Sequence, residues 1–116
     1  MKEIIAKLKQ TIEKKGFEGG TLVQQLKDLR EYIKGNLHEP GYVKMIRLIY
    51  ENIEENGTLT FDYLRGDTPE ANLNYFLDLM ADYNNKYNRE ELQEVRNLLE
   101  GLEVEYDDFD EEEDDE

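Results

Sequence analysis

Asp78 and Asp82 stand four residues apart, one helical turn, and with Asp62, Asp67 and Glu70 they come nearest to a catalytic or metal-binding spacing in this chain. Two carboxylates on one helix turn can share a proton or hold a divalent cation. Helix geometry alone also produces that spacing, on the polar side of any amphipathic helix in water. No Asp-x-Asp-x-Asp-Gly calcium loop accompanies them. Other catalytic chemistry lacks its residues, because serine and cysteine are absent and His38 is the single imidazole. Neither a Ser-His-Asp nor a Cys-His arrangement can be built, and thiolate or multi-histidine zinc sites are excluded with them. The hydroxyl nucleophiles left are Thr11, Thr21, Thr58, Thr60 and Thr68, three of which fall where helices are predicted to begin. The expectation is a protein that is not an enzyme and needs no metal or cofactor.

Binding chemistry is better supplied. Tyr75 and Tyr83, with Tyr87 and the asparagines Asn84, Asn85 and Asn88 nearby, can form a polar-aromatic patch. A tyrosine ring buries much area at little entropic cost, which suits a protein interface. The carboxylates of Asp78 and Asp82 lie in the same stretch and join it as candidate binding residues. The second candidate is the acidic run, where eleven of the fourteen residues from Glu103 to Glu116 are Asp or Glu and none is basic. Self-repulsion predicts an extended, solvated tail when free. Within it Glu103, Glu105, Tyr106, Asp107, Asp108, Phe109 and Asp110 alternate acids with two aromatic anchors. Over fewer than ten residues this segment resembles the aromatic-plus-acid segments of some histone chaperones and of proteins that imitate nucleic acid. The resemblance implies a basic partner surface.

Charge is graded along the chain. Residues 1–48 carry ten basic side chains against six acidic, and the remainder brings the net charge to −15. A field of that sign repels phosphate, so direct nucleic-acid binding is not expected; a basic protein surface, such as that of a nucleic-acid-binding protein, is the matched partner. The segment Phe61 to Tyr83 has the outline of a helix-turn-helix, yet Glu70, Asp78 and Asp82 would face the phosphates. No apolar run approaches the ~18 residues of a membrane span, and charge interrupts the first residues too soon for a secretory signal. A cytoplasmic protein without membrane contact is expected.

These residues must be positioned by helices. Ile4, Ile5, Leu8 and Ile12 fall on one helical face that ends at Gly16, and Leu22, Leu26, Leu29 and Ile33 form a second stripe. Thr21 with Gln24, and Asn88 with Glu91, have the spacing of capping boxes. Pro40 opens a third helix through Val43, Ile46, Ile49 and Ile53, closed by Asn56-Gly57 and wide enough in its apolar face to lie centrally. Thr68-Pro69-Glu70 starts a helix bearing Leu73, Phe76, Leu77 and Met80, and Leu92, Val95 and Leu99 mark a last one that Gly101 begins to end. Thr58 to Gly66 alternates like a strand but has no partner strand, so a short helix capped by Thr60 is predicted. The expected fold is all-α, a compact bundle of five or six short helices over residues 1–102, followed by a polyacidic tail over 103–116. The leading functional expectation is an inhibitor or regulator that mimics nucleic acid. The alternative is a helical subunit or immunity-type binding protein using its apolar and tyrosine face.

Overall fold

Ile5, Leu8 and Ile12 give the first helix one apolar stripe, and Leu22, Leu26, Leu29 and Ile33 give the second another; all seven are buried. Wrapped at 3.6 residues per turn, such stripes need a common core to cover them. A computed structural model describes residues 1–104, with side chains through Gly101, and shows how that core is closed. Five helices follow in order: α1 Lys2–Lys15, α2 Thr21–Asn36, α3 Pro40–Asn56, α4 Pro69–Ala81 and α5 Lys86–Val104. The architecture is an all-α bundle, with no strand among the described residues. Nor is any described helix long and apolar enough to cross a membrane.

The helices close a ring. α1 packs on α2, α2 on α3, α3 on α5, α5 on α4, and α4 returns to α1. The core of this ring holds Met45, Ile46 and Ile49 of α3 beside Leu73, Phe76 and Leu77 of α4 and Leu92 and Val95 of α5, each essentially inaccessible to water. Each such side chain contributes about 1.5–3 kcal/mol. α3 buries Tyr42, Val43, Met45, Ile46, Leu48, Ile49 and Ile53, as its wide apolar face predicts. It is nonetheless one member of the ring, with α2 and α5 as its two neighbours, not a central post.

Several ends differ from what the sequence predicts. Thr21 is the first residue of α2, not its cap; Gly20 takes the cap position, and Gln24 turns its side-chain amide to Asp28 at 3.1 Å. The flexible Gly19-Gly20 pair lets the helix start one residue early. Asn88 lies inside α5, where its backbone N–H donates to Asn85 Oδ1 at 3.1 Å, so Asn85 does the capping. Gly101 does not end α5, which continues through Val104. The start of α4 is as expected, with Thr68 Oγ1 accepting from Ala71 N–H at 3.0 Å and proline in the first turn.

The largest difference is residues 57–68, which form neither the predicted helix nor a strand. Side chains have taken the backbone donors that a helix would use. Asn52 Oδ1 accepts from Thr60 N–H and its Nδ2 donates to Thr60 Oγ1, both at 2.8 Å. Asp62 Oδ2 accepts from Gly66 N–H and Asn72 Oδ1 from Leu64 N–H, again at 2.8 Å. Arg65 and Gly66 adopt positive φ of 56° and 96°, which no helix tolerates. Local side-chain bonds of this kind outcompete a helix too short to nucleate. Because α5 lies between α3 and α4 in the ring, this pinned crossing carries Phe61 and Tyr63 toward α4 and α5.

Candidate functional site

Glu91, on the second turn of α5, gathers side chains from two other elements. Tyr63 of the crossing loop donates to Glu91 Oε1 at 2.8 Å, and Tyr75 of α4 donates to the same oxygen at 2.9 Å. Tyr63 also stands 3.2 Å from Glu94 Oε1, so its single proton is shared between two carboxylates. The rings are layered: Phe61 stacks on Tyr63 at 6.3 Å and Tyr63 on Tyr75 at 5.8 Å, within 14° and 18° of parallel. Phe61 is fully buried and anchors the stack in the core.

The local chemistry follows from this packing. Burial pushes both tyrosine hydroxyls well above the ordinary phenol range, and their bonds to Glu91 push them further, with Glu94 adding to Tyr63 and Tyr87 to Tyr75. Both hydroxyls therefore stay protonated and act as fixed donors. Asp62 is held below the usual carboxylate range, chiefly by the N–H of Gly66 and further by Asn72, so it remains ionised and keeps the loop shut. Asn72, the one buried polar residue among those described, completes the clamp by donating to Asp62 Oδ1 and to the Thr68 carbonyl.

Glu91 and Glu94 have no cationic partner among the described residues. They belong to a stripe on α5, Tyr87, Glu91, Glu94 and Leu98, spaced by four, three and four residues. Its two ends, Tyr87 at 61% and Leu98 at 38% exposure, are the exposed large apolar residues of the described chain. An acidic, tyrosine-framed face with apolar ends results. No cluster of three or more metal-ligating side chains occurs among the described residues.

The sequence-predicted residues fall on several sides of the molecule. Tyr75 belongs to the Glu91 site. Asp78 is ion-paired with Lys9 of α1. Asp82 ends α4, where its carbonyl accepts from Asn88 Nδ2 at 3.0 Å. Tyr83 meets Tyr42 of α3 edge-on at 6.0 Å, and Arg89 covers the Tyr42 ring at 5.8 Å. Of the acidic run, Glu103 lies on the helical backbone of α5, while its side chain and Glu105, Tyr106, Asp107, Asp108, Phe109 and Asp110 lie outside the described residues. Tyr63, Glu91 and Glu94 are the site residues that sequence reasoning misses. The stripe from Tyr87 to Leu98 carried a readable signal, whereas Tyr63 sits in a loop whose path no periodicity gives.

On the far side of α5, Glu39, Gly41, Tyr42, Met45, Arg89, Leu92, Gln93 and Arg96 line a polar groove of about 220 Å³ against α3. Glu39 pairs with Arg89 at 3.2 Å there. Comparison with protein-family models, with curated proteins and with solved structures finds no match to this chain.

Proposed function

We propose that this chain is a non-enzymatic interaction protein that occupies a basic surface of a partner, of the kind that binds nucleic acid, and inhibits or regulates it by placing carboxylates where phosphates would lie. The observation that carries this reading is the convergence of Tyr63 and Tyr75 on Glu91, with Glu94 alongside and no cationic partner for either among the described residues. Fixed carboxylates lose little entropy on meeting lysine or arginine, and a framing tyrosine supplies the apolar contact that charge alone lacks. The acids and aromatics from Glu103 to Asp110 extend the same chemistry along the chain. The net charge of −15 favours fast, oriented encounter with a basic surface.

Capture from the native cell extract tests this reading, with the full chain compared with a Glu91→Gln/Glu94→Gln variant. The captured protein should be released by raised salt and by added duplex DNA, and the variant should capture at least about tenfold less, the loss of about 1.4 kcal/mol. Retention that ignores salt, DNA and the two substitutions would overturn it. That outcome would favour the second reading, a helical subunit docking through its apolar and tyrosine face, for which the exposure of Tyr87 and Leu98 speaks.

A further inference from the structure

We propose that the stripe on α5 receives an arginine-bearing amphipathic helix of the partner. The guanidinium bridges Glu91 and Glu94 beside the Tyr87 ring, and an apolar side chain one to two turns away covers Leu98. The inference rests on the function proposed above and deepens it, naming the element and the side chain that this face selects.

The acceptors on this face are prepared for two parallel donors. Tyr63 and Tyr75 both donate to Oε1 of Glu91, at 2.8 and 2.9 Å, and so fill the two lone pairs of that oxygen. Oε2 of Glu91 has no hydrogen-bond partner among the described residues and is the acceptor left open. Glu94 is placed in the same way, with Oε1 at 3.2 Å from the Tyr63 hydroxyl and Oε2 open among the described residues. Because one hydroxyl reaches both carboxylates, the two are neighbours on one helix face, where like charges oppose each other until a cation lies between them. A guanidinium carries parallel N–H groups in one plane and can take both open oxygens at once. An ammonium is a compact point charge that holds its water more strongly.

The ends of the stripe are a second observation, independent of its charge. Tyr63 and Tyr75 are taken up in the stack with Phe61, so the ring left open is that of Tyr87, one turn before Glu91. A guanidinium stacks on such a ring with a gain that grows as water is excluded. Leu98 stands one turn beyond Glu94. Tyr87 and Leu98 are the exposed large apolar residues of the described chain, and both lie on the face that carries the two carboxylates. The opposite face of α5 is matched, with Arg89 paired to Glu39 and Arg96 to Glu100.

The shape of the face selects the partner element. From Tyr87 to Leu98 the stripe runs about 16 Å along three turns of one helix. A segment that covers the carboxylates and Leu98 together must be straight over that length, with its arginine and its apolar side chain on one side. A strand would need a sheet edge to pair with, and no strand occurs among the described residues. A helix needs only side chains to interdigitate with, and residues three, four or seven apart bring its arginine and apolar side chain to one face. The charge of the chain excludes a nucleic-acid strand as the occupant and favours a cationic helix.

The probe is a capped alanine–glutamine helical peptide with a single arginine and, two turns on, a single leucine, added to the full-length isotope-labelled chain. Salt at about 0.15 M screens charges more than about 8 Å apart and leaves contacts. The peptide should shift the amide NMR signals of Tyr87, Glu91, Glu94 and Leu98, and bind at least about fivefold tighter than the same peptide with lysine in place of arginine. Glu94→Gln should bring the two peptides within about twofold of each other, and Tyr87→Ala should weaken the arginine peptide more than the lysine one. Equal affinities in the parent chain, shifts centred away from the stripe, or an arginine preference that survives Glu94→Gln would each overturn the proposal. So would equal binding by an arginine peptide whose helix is broken with proline, which would assign the face to an extended segment. A shift of the same signals on concentrating this chain alone would overturn it too, by assigning the face to a second copy. Capture from the extract that salt and DNA release, together with peptides that bind alike, removes this inference alone, whereas capture indifferent to salt and DNA removes the reading on which it rests.

Discussion

Tyr63 and Tyr75 belong to a loop and a helix, yet their rings stack at 5.8 Å and their hydroxyls meet on one oxygen of Glu91. The contact joins three elements at a point where the chain passes from α3 over α5 to α4. It makes the acidic face part of the fold, since the donors that fix Glu91 also hold the loop.

The alkaline limb of stability should report this contact. Both hydroxyls ionise far above the ordinary tyrosine value in the folded chain, first through burial and then through Glu91. A group raised in this way stabilises the fold fully below about pH 10, its unfolded value, and that contribution is lost as pH rises through the folded one. Burial raises Tyr42 as well. Tyr42, Tyr63 and Tyr75 should therefore form phenolate late, in step with unfolding, when followed by ultraviolet absorbance. Tyr63→Phe should remove one of the late three and cost about 1 kcal/mol, the usual worth of one hydrogen bond. Early titration of these three, ahead of unfolding, would contradict the geometry.

Asn72 should be the most sensitive polar residue. Its side chain accepts from Leu64 N–H and donates to Asp62 and to the Thr68 carbonyl, while being 1% exposed. Asn72→Leu keeps the volume and strands those partners, at an expected cost of about 2–4 kcal/mol. Chemical denaturation measures the cost, and hydrogen exchange at Leu64 should rise with it. A cost under about 1 kcal/mol would mean that water replaces the amide freely.

The helices were legible in the sequence because each carries a full apolar stripe, as at Leu22, Leu26, Leu29 and Ile33. Burial of such a stripe outweighs any single cap, so the helices survive even where Thr21 and Asn88 do not cap them. The crossing at 57–68 was not legible, because its conformation depends on Asn52 and Asn72, which reach it from two different helices. Periodicity carries no trace of such bonds. The same gap hid half of the site: Tyr87, Glu91, Glu94 and Leu98 share a readable helical face, but nothing local says that Tyr63 will arrive there. The candidates on α4 share one helix and still part company, with Tyr75 facing Glu91 and Asp78 facing Lys9.

That parting sets the last expectation, which concerns the two seams where the more basic helices meet the more acidic ones. Lys9 of α1 pairs with Asp78 of α4 on one side of the ring, and Lys44 of α3 with Glu100 of α5 on the other. The Lys9–Asp78 side chains are 36% and 63% exposed, so water screens them and holding two long side chains in place costs entropy. A double-mutant cycle with Lys9→Met and Asp78→Asn should give a coupling below about 1 kcal/mol, shrinking further in salt. A coupling above about 2 kcal/mol would mean that the pair is desolvated and governs how α1 docks. Asp78→Asn should also leave partner capture intact where Glu91→Gln diminishes it, because Asp78 is turned toward α1 and its charge is already matched. Equal losses from the two substitutions would move the interface from the α5 stripe to the surface of α4, with Asp82 and Tyr83 as the next residues to replace.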